Sequence, residues 1–105
     1  MATHIIADHI GRTNYTVDIV PRKSITVTRI NEKPVTFEIG DTAEYDSYNL
    51  KYLGEIVSIT DKTVTIQPPY RGRKTRLKLE NFAWRNWDFD AERIARENFE
   101  TSQNI

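Results

Sequence analysis

The chain has 105 residues, 38% of them hydrophobic and 29% charged, with fifteen basic side chains set against fifteen acidic ones. That length suits one domain with one core, burying roughly two-thirds of the surface the unfolded chain exposes, and the modest apolar share makes such a core depend on its aromatic residues. The absence of cysteine excludes a disulfide framework and a thiolate metal site, and with no apolar run near the ~20 residues of a membrane helix and no signal-peptide pattern at Met1–Ile6, a cytoplasmic protein without membrane association is expected.

From Asn14 to Val20 the apolar positions Tyr15, Val17 and Ile19 alternate with Thr16 and Asp18. This is the period of two that a half-buried antiparallel strand requires, and Pro21 ends it because proline has no amide to donate to a ladder. Ser24 to Ile30 repeats the pattern through Ile25 and Val27, is rich in β-branched residues, and runs into the turn composition Asn31-Glu32-Lys33-Pro34. Val35 to Ile39 forms the next strand. After Gly40-Asp41 comes a strand from Thr42 to Asp46, then Ser47-Tyr48-Asn49-Leu50, whose short polar side chains favour a local bend. The longest strand, Tyr52 to Thr60, contains Gly54, which marks a bulge or a close approach of backbone. Asp61-Lys62 folds the chain back into Thr63 to Gln67, so Ile56, Ile59, Val64 and Ile66 flank a hairpin turn, and Pro68-Pro69 ends it. Thr75 to Leu79 sets Leu77 and Leu79 against Arg76 and Lys78, a strand with one apolar and one cationic face. The run from Phe82 to Phe89 packs four aromatics into eight positions and is expected to cover the end of a barrel. Asp90 makes a helix N-cap, with Ala91, Ile94, Ala95 and Phe99 as an apolar stripe and the pairs Glu92/Arg96 and Arg93/Glu97 at i and i+4. A helix of ~10 residues forms only when such a stripe docks.

The stretch Phe37 to Leu79, with its opening Gly40-Asp41, its central Gly54 and its hairpin at Asp61-Lys62, resembles an SH3-like small barrel of the KOW and Tudor kind. The resemblance implies that the strand after Gly40-Asp41 carries Ala43 and Tyr45 into the barrel. Tyr45-Asp46-Ser47-Tyr48-Asn49-Leu50, together with Trp84-Arg85-Asn86 and Phe89-Asp90, is similar to small uncharacterised proteins carried by phages and plasmids, a family that brings no activity with it. The chain lacks the complete aromatic cage of a Tudor module and has strands before Phe37 that a KOW module does not, so neither methyl-lysine nor ribosomal functions carry over. The expected architecture is a mostly β single domain over 1–105. It comprises an SH3-like barrel with extra N-terminal strands, its core at about 14–84, and a short C-terminal helix at about 90–100.

The neutral total hides uneven blocks. Residues 1 to 34 carry five basic and three acidic side chains, and residues 35 to 69 two and six. Arg71, Arg73, Lys74, Arg76 and Lys78 then stand together without an acid, and residues 80 to 105 hold three basic and six acidic groups. A local field survives such a pattern. Guanidinium and ammonium groups on a loop running into a strand neutralise phosphates and release counterions, which makes this segment the nucleic-acid candidate. Its bland reading is a solvated cationic face that balances the acidic block from Glu38 to Asp61. Tyr48, Tyr52 and Tyr70 offer rings on which bases stack, and the bland reading makes the tyrosines core. Trp84 and Trp87 read first as core, since tryptophan supplies large buried area. Exposed beside Arg85, they would instead form a protein-interface hot spot.

Other chemistry finds little footing. His4, Asp8 and His9 could converge on a metal, but Ile5, Ile6 and Ile10 around them read as an ordinary strand or short helix, and no metal or other cofactor is expected. Asn14-Tyr15-Thr16 matches a glycosylation acceptor without a secretory context. The sequence shows no cysteine nucleophile, no Gly-x-Ser-x-Gly elbow and no phosphate-cradling glycine loop, and the carboxylates at Asp41, Glu44, Asp46, Asp88 and Asp90 fall in turns and caps. The expected role is non-catalytic binding of nucleic acid. The alternative is a protein-binding module, such as a phage-encoded inhibitor of a host or defence protein.

Overall fold

The structure is a computed structural model that describes residues 2–7, 13–47, 51–69, 72–90 and Arg96. It is mostly β: two antiparallel four-stranded sheets, one of them curled into a half-barrel, and one short helix. The first sheet runs β1 (Ala2–Ala7), β2 (Thr13–Val20), β3 (Ser24–Arg29) and β4 (Val35–Glu38) in chain order. The second runs β5 (Thr42–Ser47), β6 (Lys51–Ile59), β7 (Thr63–Gln67) and β8 (Thr75–Lys78), and the helix α1 follows at Leu79–Asn86. Among the described residues no helix is long and apolar enough to cross a membrane.

Turn chemistry sets these boundaries. Lys23 N–H donates to Val20 O at 3.0 Å, with Pro21 at the second position and Arg22 at φ 65° in the third, the place where such a turn demands positive φ. Glu32 N–H donates to Arg29 O at 2.9 Å in the same way, with Asn31 at φ 63°. The β6–β7 turn is held by Thr60, whose Oγ1 accepts from the amides of Lys62 at 3.2 Å and Thr63 at 2.9 Å.

The alternation read from the sequence decides what is buried. Tyr15, Val17 and Ile19 of β2, Ile25 and Val27 of β3 and Phe37 of β4 face Ala43, Ile56, Ile59, Val64, Ile66 and Leu77 of the second sheet in one continuous core. Ala43 is buried in it, and Tyr45 packs partly against it. Ile56 and Ile59 lie three apart, so strict alternation would put them on opposite faces. A register shift between Ile56 and Ser58 gives β6 an extra residue against β7 and returns both isoleucines to the core. The bulge is therefore at Val57. Gly54 serves the other purpose expected of it: a Cβ there would lie 2.6 Å from Gln67 O and 2.6 Å from Ile66 Cγ2, so only glycine lets β6 and β7 come this close.

The two sheets are stitched together through β6. Gly40, at φ 94°, donates its amide to Ile56 O at 2.8 Å, Ile56 returns its own amide to Asp41 O at 2.8 Å, and Arg22 N–H donates to Ile59 O at 2.9 Å. Asp41 also stiffens the corner, its Oδ2 accepting from Glu38 N–H at 2.8 Å.

The aromatic run differs from the sequence expectation. The last strand stops at Lys78 rather than Leu79, and the residues expected to cover the barrel end are helical as far as Asn86. Leu79, Phe82, Ala83 and Asn86 recur at helical spacing and are all buried. Phe82 meets Phe37 edge to face at 5.1 Å, and Phe89 meets Phe37 at 5.5 Å, pairs worth about 0.5–1.5 kcal/mol beyond their burial. Four aromatics in eight positions concealed a helix of three-to-four spacing under the look of a loop. The helix expected over 90–100 lies outside the described residues except at Asp90 and Arg96.

Candidate nucleic-acid interface

β8 is an edge strand: it pairs with β7 on one side, and no strand pairs with its other side among the described residues. Leu77 points inward and is buried, so Arg76 and Lys78, one position to either side, point outward and are exposed. In register they stand beside Thr65 and Thr63. Arg73 and Lys74 precede the strand and are exposed as well. Gln67 anchors the approach, its Nε2 donating to Pro68 O at 3.2 Å and to Gly72 O at 3.3 Å, which ties the connection back to the end of β7.

None of Arg73, Lys74, Arg76 and Lys78 makes an ion pair among the described residues; the ion pairs found there belong to Arg85. Four cations thus gather on one sheet margin with their charges unspent. Of the acidic block, Asp61 shares a cleft with Lys78 without an ion pair to it. Glu44 is buried beneath α1, Asp41 is engaged at the corner and Asp46 meets Arg85. Tyr48, Tyr70 and Arg71 lie outside the described residues.

At the opposite edge of the same sheet, β5 is closed by the helix. Asn86 is fully buried and its side-chain amide imitates a neighbouring strand: Oδ1 accepts from Glu44 N–H at 2.8 Å, and Nδ2 donates to Glu44 O at 3.0 Å and to Phe82 O at 3.1 Å. Arg85 reaches Glu44 at 3.9 Å and Asp46 at 3.8 Å. Its guanidinium also lies 5.6 Å from the Trp84 ring. Trp84 is 62% exposed, which overturns its reading as core: it stands on the face of α1 opposite Phe82 and Ala83. Asp46 is the ladder partner of Tyr52, a residue 42% exposed whose ring lies 6.2 Å from that of Tyr45. Trp84, Arg85, Asp46, Tyr52 and Tyr45 therefore form one connected aromatic and charged patch. Trp87 is half-buried against the core, with the Arg29 guanidinium 4.3 Å over its ring.

Tyr52 sits beside β5, two strands from β8, so it belongs to the aromatic patch rather than to the cationic margin. No family model matches the chain, and no curated protein or solved structure matches it.

Sequence reasoning passed over Asn86. An asparagine after an aromatic run carries no visible signal, because its partner Glu44 is 42 residues away in the chain. It weighed His4 as a metal ligand and set that reading aside for an ordinary strand or short helix. His4 lies on β1 facing the core side, opposite Val17, and Asp8 and His9 fall outside the described residues.

Proposed function

We propose that this chain is a non-catalytic binding protein whose β8 margin holds nucleic acid. The observation that carries the reading is the set Arg73, Lys74, Arg76 and Lys78, exposed along one sheet edge with no carboxylate paired to any of them among the described residues. Phosphates replace condensed counterions at such a surface, and the affinity comes from their release rather than from any base sequence. The scaffold fits an SH3-like barrel in its β5–β8 meander, its Gly40-Asp41 entry and the tight passage at Gly54, and extends it by four strands.

Binding of a labelled oligonucleotide, read by fluorescence anisotropy, is expected at ~50 mM salt and to weaken steeply as salt rises, with a log–log slope of about −3 for four phosphate contacts. The double variant Arg73→Ala, Arg76→Ala should lose affinity and flatten that slope by about 1.5. Undetectable binding at ~50 mM salt, or binding the double variant leaves unchanged, overturns the proposal.

A second reading has its own observation. The patch of Trp84, Arg85 and Tyr52 has the residue types that dominate protein–protein hot spots, with the tryptophan open to solvent. It fits a protein-binding module, such as a phage-encoded inhibitor of a host protein. Pull-down from a host lysate after nuclease treatment separates the two readings: a partner that survives nuclease and is lost in Trp84→Ala supports the second, and loss of every partner to nuclease supports the first.

A further inference from the structure

The cationic margin ends in a cleft of about 470 Å³ between β1, the β6–β7 turn and the junction of β8 with α1. That volume lies within the roughly 300–1,000 Å³ of small-ligand sites. Ile5, Ile6 and Leu79 give it apolar walls, and Ile5 is 71% exposed. Lys78 belongs both to the margin and to the cleft, and Lys62 stands across from it in the turn. Two exposed carboxylates, Asp61 and Glu80, face the same space, and neither is ion-paired among the described residues. His4 lines the wall, and its Nε2 is shut from solvent without a hydrogen-bond partner. A buried polar atom left in that state calls for an explanation.

From this placement we infer that the cleft receives one nucleobase of a single strand whose phosphates lie along Arg73–Lys78, and that it favours a base carrying an exocyclic amino group. The inference rests on the nucleic-acid reading above. A base is flat, mostly apolar on its faces and polar at its rim. Its faces suit Ile5 and Leu79, its rim suits the exposed carboxylates Asp61 and Glu80, and its phosphate falls to Lys62 and Lys78. Carboxylates only accept hydrogen bonds, so Asp61 and Glu80 suit the amino group of cytosine better than the carbonyl at the same position of thymine. A fully double-stranded ligand cannot offer a base this way, so the site selects unpaired strands. A polyanion that met the margin alone would leave the carboxylates facing its charge for no gain.

The test is a chemical-shift titration of the labelled chain with three probes: a tetramer of deoxycytidine, a tetramer of deoxythymidine and an abasic tetramer with the same number of phosphates. The deoxycytidine tetramer should shift both the β8 residues and the cleft residues His4, Ile5 and Leu79, and should bind about fivefold tighter than the deoxythymidine tetramer. The abasic tetramer should shift β8 alone. In Asp61→Asn, Glu80→Gln, both exposed positions, that preference should vanish while the β8 shifts persist. Shifts confined to β8 with all three probes overturn the base site and leave the margin standing. No shift with any probe overturns both. Cleft signals that move with protein concentration before any probe is added assign the cleft to a second copy of the chain and overturn the inference.

Discussion

The two edges of the second sheet solve one problem in opposite ways. Any edge strand presents unpaired backbone groups. At β5 the helix supplies a substitute neighbour in Asn86, and Arg85 neutralises the adjoining acids Glu44 and Asp46. At β8 no further strand pairs with the edge among the described residues, and charge discourages pairing with one from outside. The contrast teaches where binding capacity resides. Polar groups already satisfied inside the fold stabilise it, and groups left unsatisfied at its surface remain available to a partner.

The seal at β5 is most vulnerable at Asn86. Asn86→Ala leaves the Glu44 amide and carbonyl without their partner in a buried place, and should lower unfolding free energy by about 3 kcal/mol in urea titrations. A loss under about 0.5 kcal/mol would mean that the β5 edge is not sealed by this side chain. Between the edges, Gly54→Ala drives a methyl group against Gln67 O and Ile66. It should cost about 2 kcal/mol, also read from the urea midpoint. At the open edge the effect moves from stability to affinity. Arg73→Ala with Arg76→Ala should change stability by no more than about 0.5 kcal/mol while weakening oligonucleotide binding about tenfold at low salt. The smallest change in the free protein is expected from Trp84→Ala, whose thermal midpoint should stay within about 2 °C of the parent. Nucleic-acid affinity should be untouched by it, since Trp84 stands near β5, the edge away from β8.

Much of the fold was legible because alternation and turn chemistry are local. Tyr15, Val17 and Ile19 announce a strand that Pro21 stops, and the structure ends β2 at Val20. Thr63 to Gln67 forms the strand expected of it, closed by Pro68. Gly54 was readable as a special position, and of its two possible uses the close approach is the real one. The Val57 bulge left a trace in the odd spacing of Ile56 and Ile59, which no regular strand can bury on one face. The helix at Leu79–Asn86 was harder to see, because its apolar residues continue from a strand without a capping signal: Lys78 at its start makes no side-chain cap hydrogen bond. The cationic margin could be placed on one strand face from Leu77 alone. The seal at β5 and the cleft beside His4 could not, since each depends on residues that tertiary packing brings together from distant parts of the chain.

The stitching of Gly40, Asp41 and Arg22 onto Ile56 and Ile59 has a mechanical corollary. Bound like the spine of a book, the two sheets have their covers at β1 and β8, where no backbone bridge joins them among the described residues. Breathing of the molecule should therefore widen the gap along those covers while the spine stays shut. The Ile56 amide should exchange its proton with solvent among the slowest, and the amides of Ile5 and Arg76 far sooner.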